Sequence, residues 1–190
     1  MTPELIISII LGFCLSAAAG FRVFIPLVLL SFATHFEIFP VSESWQWVGS
    51  IPALVLLSAA AIFEALAYLI PWLDNLLDTV AVPLAAIAGT LIMVATVGDI
   101  DPVYTWALAI IAGGGTAAAI SGTTSVTRAA STATTGGLGN PVIAVAETGT
   151  ATAVSLATLA SPLIALAILV ILFGVVRRLV KKLKRKQAIS

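Results

Sequence analysis

Apolar residues run in long blocks along this chain, with polar residues, glycines and prolines falling between the blocks. Residues 4–34, 52–70, 80–97, 141–160 and 162–180 are dominated by aliphatic side chains, and a further block climbs from Tyr104 through Gly113, Gly114 and Gly115 to Ala117, Ala118 and Ala119. A hydrocarbon core of roughly 30 Å takes about 20 helical residues. The blocks therefore predict membrane-spanning helices. Their punctuation is equally legible. Gly20-Phe21-Arg22, followed by Pro26, interrupts a first block that is longer than one span needs. Glu37, Glu43, Trp45 and Trp47 mark a polar loop at a membrane interface. Pro71-Trp72 ends the second block, and Gly98-Asp99-Ile100-Asp101-Pro102 is a turn. Pro52 and Pro141 each fit a first helical turn, where a missing amide proton costs nothing.

Ser121 to Pro141 (SGTTSVTRAASTATTGGLGNP) departs from its apolar flanks, with an arginine, many hydroxyls and a glycine cluster. Non-helical backbone at membrane depth survives only where protein or a water-filled cavity covers it. The stretch is expected to be re-entrant or a broken helix. The two halves also repeat an order of features. An arginine interrupts a small-residue-rich segment (Arg22, Arg128), a proline opens the next span (Pro52, Pro141), that span holds one glutamate (Glu64, Glu147), and a last span carries an early proline (Pro83, Pro162). Three spans per half oblige the halves to insert in opposite senses, as in many secondary transporters. The expected fold is an all-α membrane protein of about six transmembrane spans in two inverted three-span repeats with broken or re-entrant helices. Residues 1–100 form the first repeat, 101–180 the second, and 181–190 a basic tail.

Composition agrees with a membrane class: of 190 residues, 60% are hydrophobic and 9% charged, and the mean hydropathy is +1.14. Seven of the nine basic residues lie between Arg177 and Lys186. Positive charge directly after a span marks the cytoplasmic side, so six spans place both termini there. The run reads first as a topology anchor, and it also suits anionic lipid headgroups. Membrane lipids are the expected partners, nucleic acid is not, and a homo-oligomer is compatible with the sequence. Ser16 to Gly20 imitates a signal-peptidase site, but Glu4 stands where a basic n-region belongs, so a retained first span is preferred.

Little here supports catalysis. Cys14 and His35 are each alone, no zinc or iron–sulfur spacing occurs, and no triad or P-loop is present. The chain is not expected to be an enzyme or to hold a cofactor. Four charged residues within spans need a reason, because each costs about 2.5 to 3.5 kcal/mol on insertion scales: Arg22, Glu64, Arg128 and Glu147. Two buried ion pairs would suffice. Alternatively, Arg22 and Arg128 bind an anion, with Thr134, Thr135, Gly136, Gly137, Gly139 and Asn140 supplying donors at a helix start, while Glu64 or Glu147 carries a proton. The expected function is a small transporter or channel for a phosphate-bearing or carboxylate anion, lipid headgroups included. A divalent-cation site on Asp74 and Asp78, one helical turn apart, is the runner-up. A non-transporting scaffold or assembly factor is the third reading.

Gly20-Phe21-Arg22, the run EALAYLIPWLDNLLDTV from Glu64 to Val80, and Arg128 through GGLGNP to Glu147 resemble the bacterial membrane proteins grouped as domain of unknown function 4126. The resemblance covers most of the chain. It implies a bacterial inner membrane protein and brings no activity with it. In the family pattern an acidic residue often stands where Tyr68 is found here.

Overall fold

Prolines and small polar caps set where the helices begin. The computed structural model describes residues 2–98 and 100–187, and among these it is all helical. Thr2 accepts from the Leu5 amide and opens α1 (Pro3–Ala19). α2 (Phe24–His35) follows after a four-residue break, and a 3₁₀ turn (Glu43–Gly49) leads to α3 (Ile51–Ala67), capped by Ser50. Pro71 starts α4 (Pro71–Thr96), and Asp101 caps α5 (Pro102–Leu108). α5 continues through a π turn (Ala109–Gly114) into α6 (Gly115–Thr135), forming one rod of 34 residues. α7 (Asn140–Ala160) and α8 (Pro162–Gln187) complete the chain.

The first two helices form a hairpin. Leu5 and Ile9 of α1 pack against Met93, Val94 and Val97 at the end of α4, Ser16 Oγ donates to Gly89 O at 2.8 Å, and Ala19 meets Ala88, so α1 runs antiparallel to α4. After the break, α2 returns: Leu30 rejoins Leu11, Ile92 and Ala95, and the Ser42 amide donates to Ala95 O at 2.9 Å. With a rise of 1.5 Å per residue, α1 and α2 reach about 25 and about 18 Å, short of a roughly 30 Å hydrocarbon core. The tip at Gly20 to Val23 therefore stops inside the bundle. The hairpin's two ends lie beside the end of α4, and α8 packs on α7 and on α1. This differs from the first span expected from sequence, because the Gly20–Pro26 break reverses the chain instead of bending it.

Small residues set the closest contacts. Gly89 of α4 faces Gly113 of the π turn so tightly that a Cβ on Gly113 would sit 2.5 Å from Gly89 O. Outward, Leu56, Phe63, Ile111, Val126, Val142 and Phe173 are exposed apolar side chains, as a lipid-facing surface requires. Among the described residues three helices are long and apolar enough to cross a membrane (Trp72–Thr96, Pro102–Thr135 and Asn140–Ala160), and the 3₁₀ turn with α3, bent by 64°, adds a fourth when the pair is counted as one span. Pro3–Ala19, Phe24–His35 and Pro162–Gly174 are shorter apolar helices.

One expectation is corrected. Ser121 to Thr135 is continuous helix, and Arg128 lies within it rather than at a broken end. The non-helical part of that stretch is only the turn at Gly136 to Gly139, where Gly136 (φ 63°) and Gly137 (φ 90°) adopt the left-handed backbone that glycine tolerates. Asp99 of the expected polar turn and residues 188–190 of the basic tail lie outside the described residues, as do the side chains from Lys181 onward.

The Gly89–Gly113 contact makes a paired forecast. Gly113→Ala should lower stability by about 1–3 kcal/mol through overpacking, whereas Gly122→Ala, in open space on the same rod, should be neutral or slightly stabilising. Thermal unfolding in detergent measures both, and equal effects would contradict the α4–rod contact.

Candidate functional site

Helical spacing places the polar side chains of four helices on facing stripes. Asp74 and Asp78 are four residues apart on α4, Arg128 and Thr132 four apart on α6, and Asn140 and Glu147 seven apart on α7, so each pair shares a face. Glu64 and Tyr68 do the same at the end of α3. The hairpin tip brings Arg22 among them. Most are buried: Arg22 is 1% exposed, Arg128 2%, Asp74 0%, Glu147 5% and Glu64 7%, while Thr132 is half-buried and Asp78 lies at the rim at 19%.

Arg128 is the centre of this cluster. Its Nε donates to Glu147 Oε1 at 3.3 Å and its Nη2 pairs with Glu147 Oε2, while Nη1 donates to Asp74 Oδ1 at 2.9 Å and to Asp78 Oδ1 at 3.0 Å. Asn140 Nδ2 secures the other Asp74 oxygen at 2.7 Å and also donates to Thr132 Oγ1 at 2.9 Å. Arg22 Nη2 donates to Ala144 O at 2.9 Å and lies 3.5 Å from Glu147 Oε2. Both guanidinium carbons sit close to the Tyr68 ring, 3.9 Å from its centroid for Arg22 and 4.0 Å for Arg128. Such stacking is attractive because the ring face is electron-rich. Glu64 turns to the hairpin tip, accepting from the Val23 amide at 2.9 Å and the Phe24 amide at 3.1 Å. It thereby caps α2 from another helix.

Two properties follow for the chemistry. Four carboxylates face two arginines, a formal excess of two negative charges in a buried place. Burying unpaired charge is costly enough that protons or cations must offset it. At the same time Arg22 Nε and Nη1, and Asn140 Oδ1, are buried without a protein partner, and an unmade buried hydrogen bond costs about 1–3 kcal/mol. With every carboxylate ionised the cluster would carry two surplus negative charges, and it holds two arginine nitrogens without an acceptor.

The expected site divides into two groups. Arg22, Glu64, Arg128, Asn140 and Glu147 come together, and Asp74 and Asp78 join them as partners of Arg128. No set of three or more histidine, cysteine, aspartate or glutamate side chains is arranged for a metal ion among the described residues. Thr134, Thr135, Gly136, Gly137 and Gly139 lie instead at the α6–α7 turn. The hydroxyls of Thr134 and Thr135 donate to carbonyls one turn back, at Ala130 and Ser131, and the Gly139 amide is taken by Thr135 Oγ1 at 3.0 Å. The start of α7 thus offers an anion fewer free amides than expected, and Asn140 uses its side chain on Asp74 and Thr132 rather than as a cap. Tyr68 and Thr132 were not anticipated as members. Spacing is a signal for both, four residues after Glu64 and four after Arg128, beside the family's acidic residue at the Tyr68 position and the hydroxyl-rich stretch that contains Thr132.

Arg128→Ala should destabilise the protein by about 3–5 kcal/mol, the cost of stranding buried partners. Because three carboxylates share Arg128, adding Glu147→Gln should restore only part of the loss, and adding Asp74→Asn as well should restore more. Melting temperatures of the single, double and triple variants check this order; full rescue by Glu147→Gln alone would show that Asp74 and Asp78 do not depend on Arg128.

A family model described as Domain of unknown function (DUF4126) matches residues 9–182, a range that contains the hairpin tip and every member of the cluster. No curated protein and no solved structure shows a significant match to the chain. The chain, an all-helical protein with membrane-spanning character, belongs to this family, the domain of unknown function 4126.

Proposed function

We propose that this protein is a small multi-pass transporter of the bacterial cytoplasmic membrane, carrying a small anion together with protons. The observation that carries the reading is the buried cluster at the hairpin tip, which combines an excess of carboxylates with arginine donors that have no partner. Ionisable groups inside a membrane bundle mark ion and substrate pathways by default. An anion entering alone would add to the two surplus negative charges. Protons arriving with it cancel that cost, so the charge count itself couples the two species. The carboxylates are already engaged by Arg128, Asn140 and the tip amides, which favours the proton over a divalent ion as the coupled cation.

The same reading keeps two halves, residues 1–100 contributing Arg22, Glu64, Asp74 and Asp78, and residues 101–180 contributing Arg128 and Glu147; their inversion then rests on α3 against α7 and α4 against α8 crossing in opposite senses, not on three spans in each half. It changes the topology. With α1 and α2 as a re-entrant hairpin, the crossings are α3, α4, the α5–α6 rod, α7 and α8. This odd number puts the N-terminus outside when the basic end of α8, where Arg177 and Arg178 are exposed, is cytoplasmic. In a Cys14→Ser background, cysteines at Glu4 and Ser44 should be labelled from the same, external face and a cysteine at Arg178 from the other. Labelling of Glu4 and Arg178 from one face would remove the re-entrant topology.

A scaffold is the second reading, favoured by the saturation of Arg128 with carboxylates. Flux separates the two. In proteoliposomes, uptake of a small carboxylate or of phosphate should rise when the donor side is made more acidic. Arg22→Ala should reduce that uptake at least tenfold while the fold persists. Absence of flux under either gradient would leave only the scaffold.

A further inference from the structure

We propose that Asp78 is the carboxylate that takes up and releases the coupled proton. This rests on the transport reading and names the residue through which the proton enters. The four carboxylates of the cluster are held unequally. Among the described residues, Glu64 accepts from two amides, Glu147 from Nε and Nη2 of Arg128, and Asp74 from Arg128 Nη1 and Asn140 Nδ2. Asp78 accepts a single hydrogen bond, through Oδ1, from the same Nη1 that Asp74 uses. Each hydrogen bond a carboxylate accepts favours its ionised form, so protonating Asp78 gives up the fewest. Position in the helix adds to the contrast. Asp74 lies in the first turn of α4, where the helix dipole favours a negative charge, and Asp78 lies one turn further in. Access points the same way, since a proton must reach its acceptor from water: Asp78 is 19% exposed, against 0% for Asp74, 5% for Glu147 and 7% for Glu64.

The step is a transfer from water at the rim to Asp78 Oδ2, the oxygen that Arg128 does not hold. It makes Asp78 a neutral acid and leaves Arg128 Nη1 with Asp74 as its charged partner. The surplus of the cluster falls from two negative charges to one. A monovalent anion that then enters restores the formal charge the cluster had before, so one proton accompanies each anion, and release of both reverses the step. The charged and titratable groups around Asp78 are Asp74 on its own helix, Arg128 from α6, Glu147 from α7, Arg22 from the hairpin tip, and Glu64 and Tyr68 from the end of α3. The other three carboxylates are each held by two donors and nearly closed to water, which leaves them to hold the two guanidiniums and the hairpin tip in place while Asp78 changes charge.

The test is infrared difference spectroscopy of the full chain in lipid vesicles as the pH is lowered from alkaline values but kept above about 6, where exposed carboxylates stay ionised. Wild type should gain a carboxylic C=O band. Asp78→Asn should lack that band, Asp78→Glu should shift it without removing it, and Glu64→Gln should keep it. In proteoliposomes, wild-type uptake of propionate or phosphate should quicken about fivefold or more when the donor side is acidified, and Asp78→Asn should lose that acceleration. If Asp78→Asn does not fold, the wild-type band and its shift in Asp78→Glu decide. No band in wild type, a band that survives in Asp78→Asn, or one that disappears in Glu64→Gln overturns the proposal. A band lost in Asp78→Asn without any flux in wild type would remove the transport reading and leave the proton site. Acid-driven flux that persists in Asp78→Asn would do the reverse.

Discussion

Each unpaired edge of a guanidinium buried among membrane helices is costly, and in this protein Arg128 is satisfied by carboxylates from two other helices. Glu147 takes one edge and the two α4 aspartates share a nitrogen on the other. This fixes the start of α4, the last third of α6 and the first third of α7 against one another. Apolar packing alone is weakly directional in lipid, where neighbouring tails are as apolar as the helices. The ion cluster supplies the register that such packing lacks. Asn140 adds to it from the α6–α7 turn, which lets two glycines close that turn without any side-chain cap of α7.

The hairpin depends on this frame. Its break leaves the amides of Val23 and Phe24 pointing into the bundle, and these have an acceptor only because α3 ends beside the tip with Glu64 in place. Its depth is set elsewhere. Gly12 lies so close to Met93 and Thr96, and Gly20 to Ala117 and Ile120, that a Cβ at either would collide. Close backbone approach along α1 thus determines how far Arg22 penetrates, and electrostatics determines what it meets there.

Much of this was legible in the sequence, for identifiable reasons. Glycine and proline around Arg22 announced a break, and charged residues in apolar blocks announced a buried cluster, since the cost of burying charge is general. The hydroxyl-rich stretch from Ser121 misled for an equally physical reason. Thr123, Thr127, Thr134 and Thr135 each donate to the carbonyl four residues back, so a composition suggestive of broken backbone is carried by an intact helix that satisfies its own polar groups. Whether a break bends or reverses the chain is decided by distant neighbours such as Ala95 and Ser42, and no local pattern records it. The position of Tyr68 beside both arginines is tertiary in the same sense. So is the alignment of Asp74 and Asp78 on Arg128, 54 and 50 residues away in the chain.

The contact from Arg22 to Ala144 spans 122 residues of sequence, and it constrains biogenesis. As ribosomal synthesis proceeds, the arginine emerges long before α7 exists, so neither the Ala144 carbonyl nor Glu147 is there to receive it. The nascent hairpin must wait at the translocon or in the headgroup region, its arginine still hydrated, until the later helices have been released into the bilayer. Docking of the chain's first segment is then one of the last events in its maturation.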